Sequence, residues 1–256
     1  MIELIQASFP NWIPAQQYES AGLSFSLKYL VENRSLHIWQ KCETYINPLL
    51  NSLSQWTCSM IEHARNSEEY QQGLDYATDS WIHFLNRFAN NSEDQNLAKV
   101  LSPYCSLVWE RWMRSKLGPP DGDRIDPDDE EDIDELEESD NLRFDCQLAA
   151  IGLLSRICIP QSMPHLETLT VNKVNTIAAC LQKQEAVPTA LWEDLHWLYL
   201  AIGHMLADET DSGETRYIPQ EIMQASIAQK APPALIGFSY KNGFRVILQM
   251  LIITHA

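Results

Sequence analysis

Ile46-Asn47-Pro48-Leu49-Leu50-Asn51-Ser52-Leu53-Ser54-Gln55-Trp56-Thr57-Cys58-Ser59-Met60 is the stretch on which the fold class turns. Ile46, Leu49, Leu53, Trp56 and Met60 recur at alternating steps of three and four residues. That recurrence draws one apolar face along a helix of about 3.6 residues per turn, with Pro48 expected to kink its start. A strand would need a period of two, which this stretch lacks.

The same period continues outward in both directions. Leu74, Ala77, Trp81, Phe84 and Phe88 form a second stripe, and Leu97, Leu101, Tyr104, Val108 and Trp112 a third, with Pro103 inside it. Gly118-Pro119-Pro120 stops that helix. Further on, Phe144, Leu148, Ile151, Leu154 and Cys158 predict a helix capped by Ser139 or Asp140 and ended by Pro160. A helix over 165–184 should turn Leu166, Val174, Ile177 and Leu181 inward. Pro188 and Thr189 open the next, with Leu191, Leu195, Leu198, Ile202 and Met205 as its stripe and Glu193 and Asp194 placed in its first turn. Pro219 opens a short one through about Ala228. Leu23 to Val31 alternates as a strand would, and only its surroundings make it a helix.

Helix-turn-helix units spaced by roughly forty residues suit stacked antiparallel hairpins, an all-α solenoid of the HEAT or armadillo kind. A closed helical bundle is the competing arrangement. The expected organisation is helical hairpins over 1–118, an acidic flexible loop over 119–140, hairpins again over 141–231, and a divergent or truncated tail over 232–256. Only nine Gly in 256 residues argues against folds that need many tight turns.

The charge is concentrated. Residues 121–140 hold thirteen acids and one base, Arg124, against a formal charge of −17 for the whole chain. Such a run repels nucleic acid and anionic membrane and attracts a basic protein surface. A solvated spacer is the plainer reading. As a calcium loop it fails, because Asp123, Asp126, Asp128 and Glu131 lack the required spacing and the glycine at the sixth position. The candidate partner-binding group is therefore Asp128, Asp129, Glu130, Glu131, Asp132, Asp134, Glu135, Glu137 and Glu138, interrupted by Ile133 and Leu136.

Nothing else points to bond-making chemistry. His196 and His204 stand eight apart on one helix, poorly aligned for a shared metal, and His196 reads as a packing residue. The other histidines are isolated, and no phosphate-binding loop, nucleophile elbow or His-Glu-x-x-His appears. Six scattered cysteines without a Cys-x-x-Cys pair suit reduced, half-buried thiols better than disulfides or zinc. Trp56, Trp81, Trp109, Trp112, Trp192 and Trp197 fall at helical spacing beside apolar residues, which makes them core and not a base-stacking platform. The expectation is a non-enzyme without catalytic residues, metal or cofactor. Met1 to Phe9 has no basic leader pattern, and no window is apolar enough to cross a membrane, so a soluble intracellular chain is expected.

Long strings add a resemblance. Glu131-Asp132-Ile133-Asp134-Glu135-Leu136-Glu137-Glu138-Ser139-Asp140 is followed by Trp192-Glu193-Asp194-Leu195-His196-Trp197-Leu198. Leu206-Ala207-Asp208-Glu209-Thr210, Gly213-Glu214-Thr215 and Ile218-Pro219-Gln220-Glu221-Ile222-Met223 come after. Their order and spacing are similar to the exportin-4 family of nuclear export receptors, in the importin-β (karyopherin) superfamily. The likeness spans roughly residues 125–228, about two fifths of the chain. It implies a HEAT-repeat solenoid that binds Ran-GTP and protein cargo together and shuttles between nucleus and cytoplasm through the pore, touching nucleoporins. The implied cargoes are the hypusine-containing translation initiation factor and Smad proteins.

Receptors of this family are several times longer and carry an N-terminal Ran-binding region. The expectation is therefore a middle portion of the solenoid, with apolar faces uncapped at both ends, marginal stability and self-association. A helical-repeat scaffold, or a cargo-competing short form without transport activity, is the alternative.

Overall fold

A computed structural model describes residues 17–33, 43–64, 68–89, 95–124, 143–206 and 218–228. Every regular element among them is a helix: α1 (Gln17–Asn33), α2 (Glu43–His63), α3 (Glu68–Ala89), α4 (Gln95–Lys116), α5 (Asp145–Ile157), α6 (Ile159–Gln182), α7 (Thr189–Leu206) and α8 (Gln220–Ala228). The chain divides into two compact units, Met1–Trp112 with Ser139–Cys158, and Met113–Glu138 with Ile159–Ala256. The tail over 232–256 lies outside the described residues.

In the first unit α3 is central, with α1, α2 and α5 packed against it. The predicted stripes are its core. Leu49, Leu53, Trp56 and Met60 of α2 and Leu74, Ala77, Trp81 and Phe84 of α3 are buried, as are Leu101, Val108 and Trp112 of α4. Each such large side chain contributes roughly 1.5–3 kcal/mol through the water it sheds. Leu148, Ile151 and Leu154 are buried on α5 and Cys158 at its C-cap, and Tyr104 and Phe144 are half-buried. The side chains of Ile46, Phe88 and Leu97 lie outside the described set.

Helix α1 resolves the ambiguous alternation. Ala21, Ser24, Leu27 and Val31 face inward at steps of three, three and four, while Phe25 and Tyr29 are about half exposed, at 50% and 59%. Alternation was incidental; the inward face is set by small residues. A β-carbon on Gly73 of α3 would meet the Cα of Ala21 at 3.5 Å and the sulfur of Met60 at 3.3 Å. Small side chains are what let α1 and α3 approach this closely.

Tryptophan N–H groups then tie neighbouring helices together. Trp56 donates to Ser24 Oγ at 2.8 Å, joining α2 to α1. Trp81 donates to Thr57 Oγ1 at 3.0 Å, joining α3 to α2. Trp112 donates to Gln147 Oε1 at 3.0 Å, and Gln147 passes its own N–H to Asp75 Oδ1 at 2.7 Å, linking α4, α5 and α3. A buried indole keeps its hydrogen bond this way while filling space.

Several boundaries differ from the sequence expectation. Helix α5 begins after Phe144, which makes no side-chain cap; Ser139 and Asp140 lie outside the described residues. Helix α6 begins six residues early, at Ile159 instead of His165. Pro160 does not end the chain's helical course; it sits in the first turn of α6, where a missing N–H costs nothing, and Pro164 is carried inside. Leu181, expected inward, is 45% exposed. The buried face of α6 runs instead through Leu166, Leu169, Thr170, Lys173, Val174 and Ile177.

In the second unit α6 packs on α7. Leu195, Leu198 and Met205 are buried with Ala201, whereas Leu191 and Ile202 are only half-buried. The last turn of α6 closes with paired bonds, Glu185 N–H to Cys180 O at 2.9 Å and Gln184 N–H to Leu181 O at 3.1 Å. This Schellman closure puts Gln184 at φ 57°, the left-handed conformation that usually selects glycine. No helix among the described residues is long and apolar enough to cross a membrane.

Candidate functional site

The nine acids singled out for partner binding, Asp128 through Glu138, lie outside the described residues. What is described is the root from which they issue, and it is tightly built. After Lys116 ends α4, the chain turns back over the helix terminus. Gly122 N–H bonds Gly118 O at 3.0 Å, Asp123 N–H bonds Arg114 O at 2.9 Å, and Arg124 N–H bonds Leu117 O at 2.9 Å. The guanidinium of Arg124 adds a bond to Lys116 O at 2.7 Å. Carbonyls left over at a helix C-terminus are thereby satisfied, and a cation sits where the helix dipole favours it. Only glycine fits at 122, because a β-carbon there would fall on the carbonyl oxygens of Arg114 and Leu117.

This turn is fastened to α6 and α7 by charge. Asp194 of α7 accepts from the backbone N–H of Gly118 at 2.8 Å and pairs with Arg124 at 2.8 Å, both through Oδ1. Its other oxygen meets Lys173 Nζ of α6 at 2.7 Å, and the same ammonium reaches Asp121 Oδ2 at 2.7 Å. Arg124 also donates to Ala190 O at 3.1 Å. The side chains of Asp194 and Lys173 are 3% and 5% exposed, and that of Arg124 is 12% exposed.

Two cations face two carboxylates, so the cluster is neutral as a whole. Burial pulls the Lys173 ammonium down, but its bonds to Asp121 and Asp194 outweigh that and hold it above its ordinary value of 10.5. Beside the cluster, Lys116 Nζ lies 4.1 Å from the centre of the Trp197 ring, and Trp197 donates to Glu193 at 2.7 Å.

Glu193 and Asp194 therefore do not serve the first turn of α7, which has no acid in it. One orients a tryptophan and the other holds the turn. Lys173, Arg124 and Asp194 were not recognised from the sequence, although a signal was present. Asp194 stands at Leu191 plus three and Leu198 minus four, and Lys173 at Leu166 plus seven and Ile177 minus four. A charge on an inward register predicts an internal partner.

The remaining candidates behave as packing groups. Trp56, Trp81, Trp109, Trp112 and Trp197 are buried at 0–4% exposure, and Trp192 is the exception at 38%. His196 is exposed with its ring edge-on to Trp197, centroids 5.6 Å apart. The five described cysteines are free thiols. Burial pushes Cys58 up to about 12 and Cys146 up to about 11. Among the described residues no group of three or more His, Cys, Asp or Glu is placed to hold a metal ion. The arrangement can hold the root of a charged segment firmly. Compared with known protein-family models, the sequence matches none.

Proposed function

We propose that this chain is part of a nuclear export receptor similar to the exportin-4 family, its helices stacked as antiparallel hairpins of a HEAT-type solenoid. In this reading it binds Ran-GTP and protein cargo, such as the hypusine-containing translation initiation factor or Smad proteins, and passes with them through the nuclear pore. The work is reciprocal coupling between two protein ligands, without catalysis or cofactor.

The observation that carries the reading is the acidic run itself. From Asp126 to Asp140 it holds eleven acids and no base. The turn that precedes it in sequence is pinned by buried ion pairs. A concentrated charge on a fixed root suits electrostatic capture of a basic protein surface, a rate and specificity effect that salt weakens. The family strings support it as well. In Trp192-Glu193-Asp194-Leu195-His196-Trp197-Leu198, four residues are buried and one bonds the turn before the acidic run, so the string carries structural information about that root.

Calorimetric titration with Ran, loaded with a slowly hydrolysed GTP analogue, and with the hypusine-containing factor, tests the reading at low and physiological salt. Binding is expected to weaken as salt rises. It should fall about tenfold or more when Asp128, Asp129, Glu130, Glu131, Asp132, Asp134, Glu135, Glu137 and Glu138 become Asn or Gln. Unchanged affinity and salt dependence in that variant would leave a helical scaffold with an acidic spacer.

A further inference from the structure

We draw no further inference here: the strongest candidate, the outward face of α7 on which Trp192 and Tyr199 are 38% and 50% exposed, is an apolar patch, and nothing in the structure shows what covers it.

Discussion

The two units solve the same problem, a polar group inside a helical core, in opposite ways. In the first, buried polarity is almost all neutral: Trp56, Trp81 and Trp112 donate to Ser24, Thr57 and Gln147. In the second, formal charges are buried, with Asp194 and Lys173 at 3% and 5% exposure. Neutral bonds cost little to bury and tie helices that already pack by apolar contact. Buried ions gain little over apolar replacements, yet removing one partner is expensive because the other is left alone. The difference teaches what each is suited to. Tryptophan ties hold a core together, and the ion cluster defines where a loop with two glycines and two prolines must sit.

The comparison breaks most sharply at its two centres. Trp81→Ala should cost about 3–5 kcal/mol through the cavity and the lost tie to Thr57. Asp194→Ala should cost about as much, because Arg124 and Lys173 lose the buried carboxylate they share, with no cavity of comparable size. Urea unfolding followed by circular dichroism measures both. Replacing Arg124 with Met and Asp194 with Leu together should recover most of the loss; no apolar partner exchange can restore Trp81→Ala unless volume is returned.

A smaller effect is expected at Gly122. Gly122→Ala forces the turn off the carbonyls of Arg114 and Leu117 and should cost about 1–3 kcal/mol. Hydrogen exchange should show the change at residues 118–124 and leave α1, α2 and α3 as they are.

Alkaline pH separates the units by onset. The thiols of Cys58 and Cys146 in the first unit are raised from 9.0 to about 12 and about 11. The folded chain then keeps protons that the unfolded chain releases, so stability is full below pH 9 and falls as pH rises above it. Lys173 is raised above 10.5, so the contribution of the cluster is full below that value and is lost only as pH climbs through the folded one. Urea midpoints taken between pH 8 and about 11, with Cys58 and Cys146 replaced by Ala as the reference, should show the first decline and its reduction, the buried Cys105 thiol being raised as well.

The least effect is a gain. Gln184→Gly relieves the left-handed backbone at φ 57° and should raise stability by about 0.5–1 kcal/mol, read as an upward shift in Tm.

The helical content was legible in the sequence. The stripes over α2, α3 and α4 needed no tertiary knowledge, since Leu53, Trp56, Trp81 and Trp112 announce their inward face by spacing alone. Helix α1 was less legible because Phe25 and Tyr29 are large aromatic residues that could equally have faced inward beside Leu27; the inward choice follows Ala21 and Ser24, which fit against Gly73. Pro160 misled for a similar reason. Proline stops a helix in its interior and opens one in its first turn, and only the neighbouring residues decide which applies.

The candidate site divides along the same line. Eleven acids in sequence order are a local property, and so are the helical periods, because both depend on residues a few places apart. The ion cluster is not local. Gly118 and Asp194 are 76 residues apart along the chain, and the partner of a buried charge is whichever group the packing of α6, α7 and the turn brings within reach. Sequence by itself determined an all-helical chain with one strongly acidic segment. Which cations pair with Asp194 was settled only by the tertiary structure, because a buried carboxylate must be neutralised in space and not in sequence.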